Sequence, residues 1–151
     1  MTTTPFLPAL RELASAYQAF EAYSSVHIRT LDLTPAQFDI IATLGNTPGM
    51  PFKELGEMTL ITKGTLTGVV DRLADKKLVQ RVASPSDGRS QIVQLTPQGV
   101  ALFERIFPDH LAHLQRAFVE LPPDELVNLE QSLRHLREAL VGARNSLQES
   151  P

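Results

Sequence analysis

The chain has 151 residues, a formal net charge of -3 and no cysteine. That length suits one domain with a real core, or a small domain with an attached helical part, and the missing thiols exclude disulfides, thiolate metal sites and thiol redox sensing. No apolar run approaches the roughly 20 residues of a membrane span, and Met1–Pro5 lacks the basic and apolar regions of a signal peptide, so a cytoplasmic location is expected.

Met1–Pro5 is expected to fray. From Pro8 onward, Leu10, Leu13, Tyr17 and Phe20 follow three- and four-residue steps, which predicts one long amphipathic helix reaching about Arg29. Leu33-Thr34-Pro35-Ala36-Gln37 carries two independent helix-start signals, Pro35 at the first helical position and Thr34 with Gln37 as a capping box. Phe38, Ile41 and Leu44 form the buried face of that helix, and Gly45–Gly49 stops it.

Phe52–Met58 reads as a short helix with Leu55 and Met58 inward. Gly56 between them permits the close helix crossing that a helix-turn-helix requires. The next helix starts at Thr62, a plausible N-cap, and places Leu66, Val69, Val70, Leu73 and Ala74 on one apolar stripe. Opposite lie Lys63, Thr65, Thr67 and Gly68, a surface of small hydroxyls, glycine and one cation that suits a groove. After Leu78 the period becomes alternating. Val79 and Arg81, then Gln91, Val93 and Leu95, frame two strands around the turn-rich segment Ser84–Ser90, which presents Arg89 at its tip. An exposed arginine there suits a minor groove or a phosphate. The unit Met50–Thr96 is therefore expected to be a winged helix-turn-helix that binds DNA. Residues 62–91 hold six Lys or Arg against three Asp, a local charge of +3 inside an acidic whole, which fits a phosphate-facing patch.

Thr96-Pro97 repeats the helix-start signal. Leu102, Phe103, Ile106 and Phe107 continue an apolar face, Pro108 is expected to kink the helix, and Leu111, Leu114 and Phe118 resume it until Pro122-Pro123. The final helix repeats Leu126, Leu129, Leu133, Leu136 and Leu140 as a packing seam, short of the ~3–4 heptads of a coiled coil. The first and last two helices carry more leucine than a winged helix alone can cover, so burial against a second chain is expected.

The run Leu66-Thr67, Val70-Asp71-Arg72-Leu73, Leu78-Val79 and Asp87-Gly88-Arg89-Ser90, followed by Leu95-Thr96-Pro97-Gln98-Gly99, resembles the MarR family of bacterial transcription regulators. Most specific is the Asp-x-Arg-Ser wing at this distance from the Asp-Arg-Leu helix. The resemblance implies a fold that is mainly α with a small β-hairpin wing: a winged helix-turn-helix at residues 33–96 and a helical dimerisation domain from 1–32 and 97–151. It also implies a homodimeric, sequence-specific regulator, in most cases a repressor, on a pseudo-palindromic double-stranded operator. The second helix of the unit would lie in the major groove and the wing arginine in the minor groove. The DNA-facing set is then Thr62, Lys63, Thr65, Thr67, Gly68, Arg72, Ser86, Arg89 and Ser90. The wing-anchoring set is Asp71, Arg81 and Asp87, with Asp71 pairing to Arg81 and Arg89. Gly68 stands where many members carry a basic residue.

The same resemblance implies a cleft for a small aromatic anion, lined by Tyr17, Phe20, Tyr23, His27 and Phe38, with His27 or Arg29 meeting the charge; each aromatic also reads as plain core. His110 and His113, one helical turn apart after Asp109, admit a zinc site, although this spacing is common by chance. No phosphate loop, nucleophile elbow or paired-carboxylate motif is present, so neither an enzyme nor a cofactor is expected. Two alternatives stay open: a winged-helix protein-interaction module that never touches DNA, and a histidine-based metal-dependent enzyme.

Overall fold

The structure, a computed structural model, describes residues 4–150 apart from the side chain of Lys63. The expectations for Met1, Thr2 and Thr3, and for the Lys63 side chain as a DNA contact, lie outside the described residues. The elements run α1 (Leu7–Ile28), a 3-10 turn (Arg29–Leu31), α2 (Pro35–Leu44), β1 (Met50–Pro51), α3 (Phe52–Met58), α4 (Lys63–Asp75), β2 (Val79–Ala83), β3 (Gln91–Leu95), α5 (Pro97–Phe118) and α6 (Pro123–Glu149). The chain is mainly helical with one small antiparallel sheet, a winged-helix fold. It divides into two compact units, one up to Leu114 and one from Gln115 onward.

In the first unit, α2 begins as its residues dictate. The Thr34 hydroxyl accepts from the Gln37 amide at 3.1 Å while the Gln37 side chain takes the Thr34 amide at 3.1 Å, so the capping box is complete. Phe38, Ile40, Ile41 and Leu44 of α2 pack against Leu55 of α3 and the Leu66, Val69, Val70 and Leu73 stripe of α4. Each such side chain, fully buried, contributes about 1.5–3 kcal/mol. Phe103 and Ile106 close the core from α5. Met58 departs from the expectation: it is 58% exposed, because Thr59, tied by its hydroxyl to the Leu55 carbonyl, takes the buried position after α3. Thr62 occupies the N-cap of α4 but makes no side-chain cap, since its hydroxyl pairs with that of Thr65 at 3.0 Å.

The sheet has the order β1-β3-β2, so the hairpin carries a third strand that alternation could not reveal. β1 is only Met50-Pro51, paired as Met50↔Val93 and Pro51↔Ile92, and proline is tolerated because the strand lies at the edge. Gly49 makes this approach feasible: its φ is +101°, and a Cβ there would lie 2.7 Å from the Val93 carbonyl oxygen. β2 and β3 pair from Val79↔Leu95 to Ala83↔Gln91. Lys77 turns the chain out of α4 at φ 63°, with the Leu78 amide donating back to Leu73.

α5 is one element through Pro108, the position where a kink is expected. Proline removes one hydrogen bond of the helix, and burial of Phe103, Ile106 and His110 on either side holds the flanking turns. In the second unit, α6 starts with Pro123 at its first turn and Asp124 and Glu125 beside its positive end. None of its 27 residues is buried within one chain. The stripe of α1 is likewise open: Leu10 is 51% exposed, and only Ser24 and Ile28 of that helix are buried.

Candidate functional site

The outer face of α4 and the wing carry the expected DNA-facing residues. Thr62, Thr65, Thr67, Gly68 and Arg72 are all exposed, and so are Ser86, Arg89 and Ser90. A methyl group at Gly68 would meet nothing within 4 Å, so the packing of the free chain does not require glycine there. The bare backbone leaves that turn open to close approach by another surface. At the wing tip Asp87 organises the loop: one carboxylate oxygen accepts the Arg89 amide at 3.1 Å, the other the Ser90 hydroxyl at 3.0 Å. The Ser84 amide donates to the Ser90 carbonyl, closing the loop and leaving the Arg89 guanidinium outside.

Behind this face, the Arg81 guanidinium donates to Asp71 at 2.6 Å and lies 4.9 Å above the Phe52 ring. The pair joins α4 to β2, and the ring of α3 fixes the arginine from the other side. Both partners are more than a third exposed, so their role is orientation rather than stability. Asp71 forms no ion pair with Arg89 among the described residues. Arg81 sits on the paired strand beside α4, whereas Arg89 belongs to the loop beyond the last strand pair, Ala83↔Gln91. Phe52 was absent from the expected site, because a lone aromatic in a short helix has no signal until its strand partner is placed.

A cavity of about 510 Å³ opens in the first unit. Phe20, Ser24 and Ile28 of α1 line it, with Phe38 and Asp39 of α2, Leu60 and Ile61 before α4, and Phe107, His110 and Leu111 of α5. Thr62 and Thr65 also belong to its wall, so two residues expected to face DNA border this space as well. Of the five aromatic and histidine residues expected in a cleft, Phe20 and Phe38 line it. Tyr17 is on the surface, donating to Glu21 at 2.9 Å, and Tyr23 and His27 are taken up by packing between α1 and α5. Neither His27 nor Arg29 lines the cavity, and among the described residues no Lys or Arg does. Asp39 was not expected: its Oδ2 accepts the Leu60 amide at 2.9 Å, holding the turn before α4. Burial pushes its carboxyl above the usual range, against the pull of that amide.

The histidines form a network between α1 and α5. His27 Nδ1 and His110 Nδ1 are 2.9 Å apart, Ser24 Oγ lies 3.3 Å from His110 Nε2, and His113 Nε2 donates to the Tyr23 carbonyl while Tyr23 stacks on its ring. Among the described residues no group of three metal-ligating side chains is arranged to hold a metal ion, and the rings of His110 and His113 lie 5.1 and 5.3 Å from that of His27. Burial, and then the charges of His27 and His113, push His110 down from 6.5 to about 4. Its folded-state pKa is thus below the unfolded one, so the unfolded chain takes up the proton first as pH falls. Stability should be full above about pH 6.5 and drain away by on the order of 3 kcal/mol as pH falls to about 4. Urea midpoints across that window are expected to fall more steeply for the wild type than for His110→Gln. Parallel curves would show that another group carries the acid limb.

Residues 31–90 match the family model described as MarR family. The HTH-type transcriptional regulator MhqR of Bacillus subtilis is 32% identical over 124 residues, which are 82% of this chain and 86% of that protein. The homoprotocatechuate degradative operon repressor of Escherichia coli is 28% identical over 137 residues, 91% of this chain and 90% of that one. Among solved structures, Bordetella bronchiseptica BpsR, whose DNA binding is regulated by 6-hydroxynicotinic acid, superposes with a TM-score of 0.75 at 30% identity, covering 91% of this chain and 98% of that one.

Proposed function

Since the chain belongs to the MarR family of transcriptional regulators, and is not an enzyme, we propose that it is a cytoplasmic homodimer that represses transcription by binding a pseudo-palindromic operator. In this reading α4 enters the major groove, Arg89 the minor groove, and a small aromatic molecule in the cavity releases the DNA. Residues 33–96 are the reading domain, and 1–32 with 97–151 the dimerisation domain. The observation that carries the reading is the wing: Asp87 shapes its tip around Arg89, whose guanidinium has no partner among the described residues, while Asp71 and Arg81 tie its strand to α4. Such a build presents a cation at a set distance from a helix face of small residues, which suits a groove edge and a groove floor together. Repression is supported by the Escherichia coli relative, itself an operon repressor, and control by a small aromatic ligand by BpsR, whose DNA binding 6-hydroxynicotinic acid regulates. The cavity adds a physical link, because Thr62 and Thr65 of its wall open the reading helix.

The test is a gel shift on DNA from upstream of the protein's own coding region, across a salt series. Specific binding that weakens with salt is expected. Arg89→Ala should lower affinity about tenfold and flatten the salt slope by roughly one unit. Asp71→Ala should also weaken specific binding, although it removes a negative charge, because Arg81 loses the partner that holds the wing strand. Tighter operator binding by Asp71→Ala would end the anchoring role. Absence of any specific binding at low salt would point instead to a protein-interaction module.

A further inference from the structure

We propose that Phe52 is a positioning residue for DNA binding: its ring holds the Arg81 guanidinium on Asp71, so that α3, α4 and the wing strand keep one arrangement, and the position requires an aromatic face rather than apolar bulk. This rests on the reading of the winged helix as an operator-binding unit and adds to it a residue that acts without touching DNA. Asp71 and Arg81 by themselves make a weak strut. Their side chains are 55% and 36% exposed, and salt screens an ion pair so open to water. The ring supplies what the pair lacks. The guanidinium carbon lies 4.9 Å from the centroid of the Phe52 ring, inside the roughly 6 Å over which an aromatic face attracts a cation. Because the ring carries no net charge, added salt weakens this contact far less than the ion pair.

The sheet explains how a residue of α3 reaches the wing. Val93 of β3 pairs with Met50 on one side and with Arg81 on the other, so β3 lies between β1 and β2. Phe52 follows the two residues of β1 directly, and a strand that short adds little stability of its own. What β1 does is deliver the ring across β3 to Arg81. The ring is itself partly buried against the core, so it stays in place whether or not a cation covers it. Held on one side by Asp71 and on the other by Phe52, Arg81 is committed to the protein. Arg89 is then the cation that residues 79–95 leave for DNA.

The test measures operator affinity across a salt series for the wild type, Phe52→Leu and Phe52→Tyr, and repeats the comparison of Phe52 with Leu in an Arg81→Gln background. Phe52→Leu, which keeps apolar bulk, should bind the operator about two- to fivefold more weakly at low salt. The loss should grow as salt screens the remaining ion pair. Phe52→Tyr keeps the ring and should bind as the wild type does. With Arg81→Gln present, Phe52→Leu should cost nothing further, because no cation is left for the ring to hold. In the protein without DNA, the Arg81 side-chain protons should carry an upfield ring-current shift in the wild type and in Phe52→Tyr, and lose it in Phe52→Leu. If Phe52→Leu does not fold, Phe52→Met takes its place. Equal affinity of Phe52→Leu and wild type, failure of Phe52→Tyr to restore binding, or a full loss that persists with Arg81→Gln overturns the positioning role while operator binding stands. So does an Arg81 without the ring-current shift. A wild type that binds no DNA specifically, with the shift present, overturns the operator reading and the role that rests on it.

Discussion

Replacing Leu133 and Leu136 together by Asp should yield a monomer that no longer binds operator DNA. Leu129, Leu133, Leu136 and Leu140 repeat along α6 and are 39%, 46%, 38% and 57% exposed within one chain. A helix of 27 residues with no buried position gains nothing from tertiary packing, although packing is what usually holds helices in proteins. Exposed apolar rows of this length mark an interaction surface. In the proposed homodimer a second copy would supply the matching row by symmetry. Each substitution then puts a charge into an apolar contact on both chains, at several kcal/mol apiece, which exceeds what a micromolar dimer can absorb. Loss of operator binding follows, because two reading heads no longer act together. Sedimentation of both proteins at micromolar concentration decides the matter: a monomeric wild type would sink the proposal.

Gly99→Ala should destabilise the fold by about 3 kcal/mol. A Cβ at this position would lie 2.0 Å from the Leu78 carbonyl oxygen and 3.3 Å from Leu95 Cβ. Neither neighbour can move freely. The Leu78 carbonyl accepts the Thr96 amide at 3.1 Å, and the Thr96 hydroxyl donates to Lys77 at 2.6 Å while accepting the Gly99 amide at 3.0 Å. This knot fixes where α5 leaves the wing, so the substitution strikes the junction between the winged helix and the helix that follows it. Gly88→Ala is the control, since a methyl there meets nothing within 4 Å. It should stay within about 0.5 kcal/mol of the wild type. Denaturant midpoints for the two variants check the contrast, and a Gly99→Ala protein as stable as Gly88→Ala would refute the clash.

The sequence by itself determined whatever depends on residues close together in the chain. Thr34, Pro35 and Gln37 specify a helix start within four positions, and the stripe Leu66, Val69, Val70 and Leu73 specifies which face of α4 is buried. Ser84–Ser90 specifies a wing tip, and those local signals together outlined a winged helix-turn-helix before any contact was placed. Tertiary structure alone decided the rest, because its partners stand far apart along the chain and each residue is unremarked until the other arrives. Met50 pairs with Val93 in a strand of two residues, too short for any alternation to register. Met58 and Thr59 exchange inside and outside once the hydroxyl of Thr59 finds the Leu55 carbonyl. His27 leaves the expected cleft because His110, 83 positions away, takes its Nδ1. Asp39, a polar residue between two buried apolar ones, becomes the grip on the turn before α4 only because the fold brings Leu60, 21 positions on, to within 2.9 Å of its carboxylate.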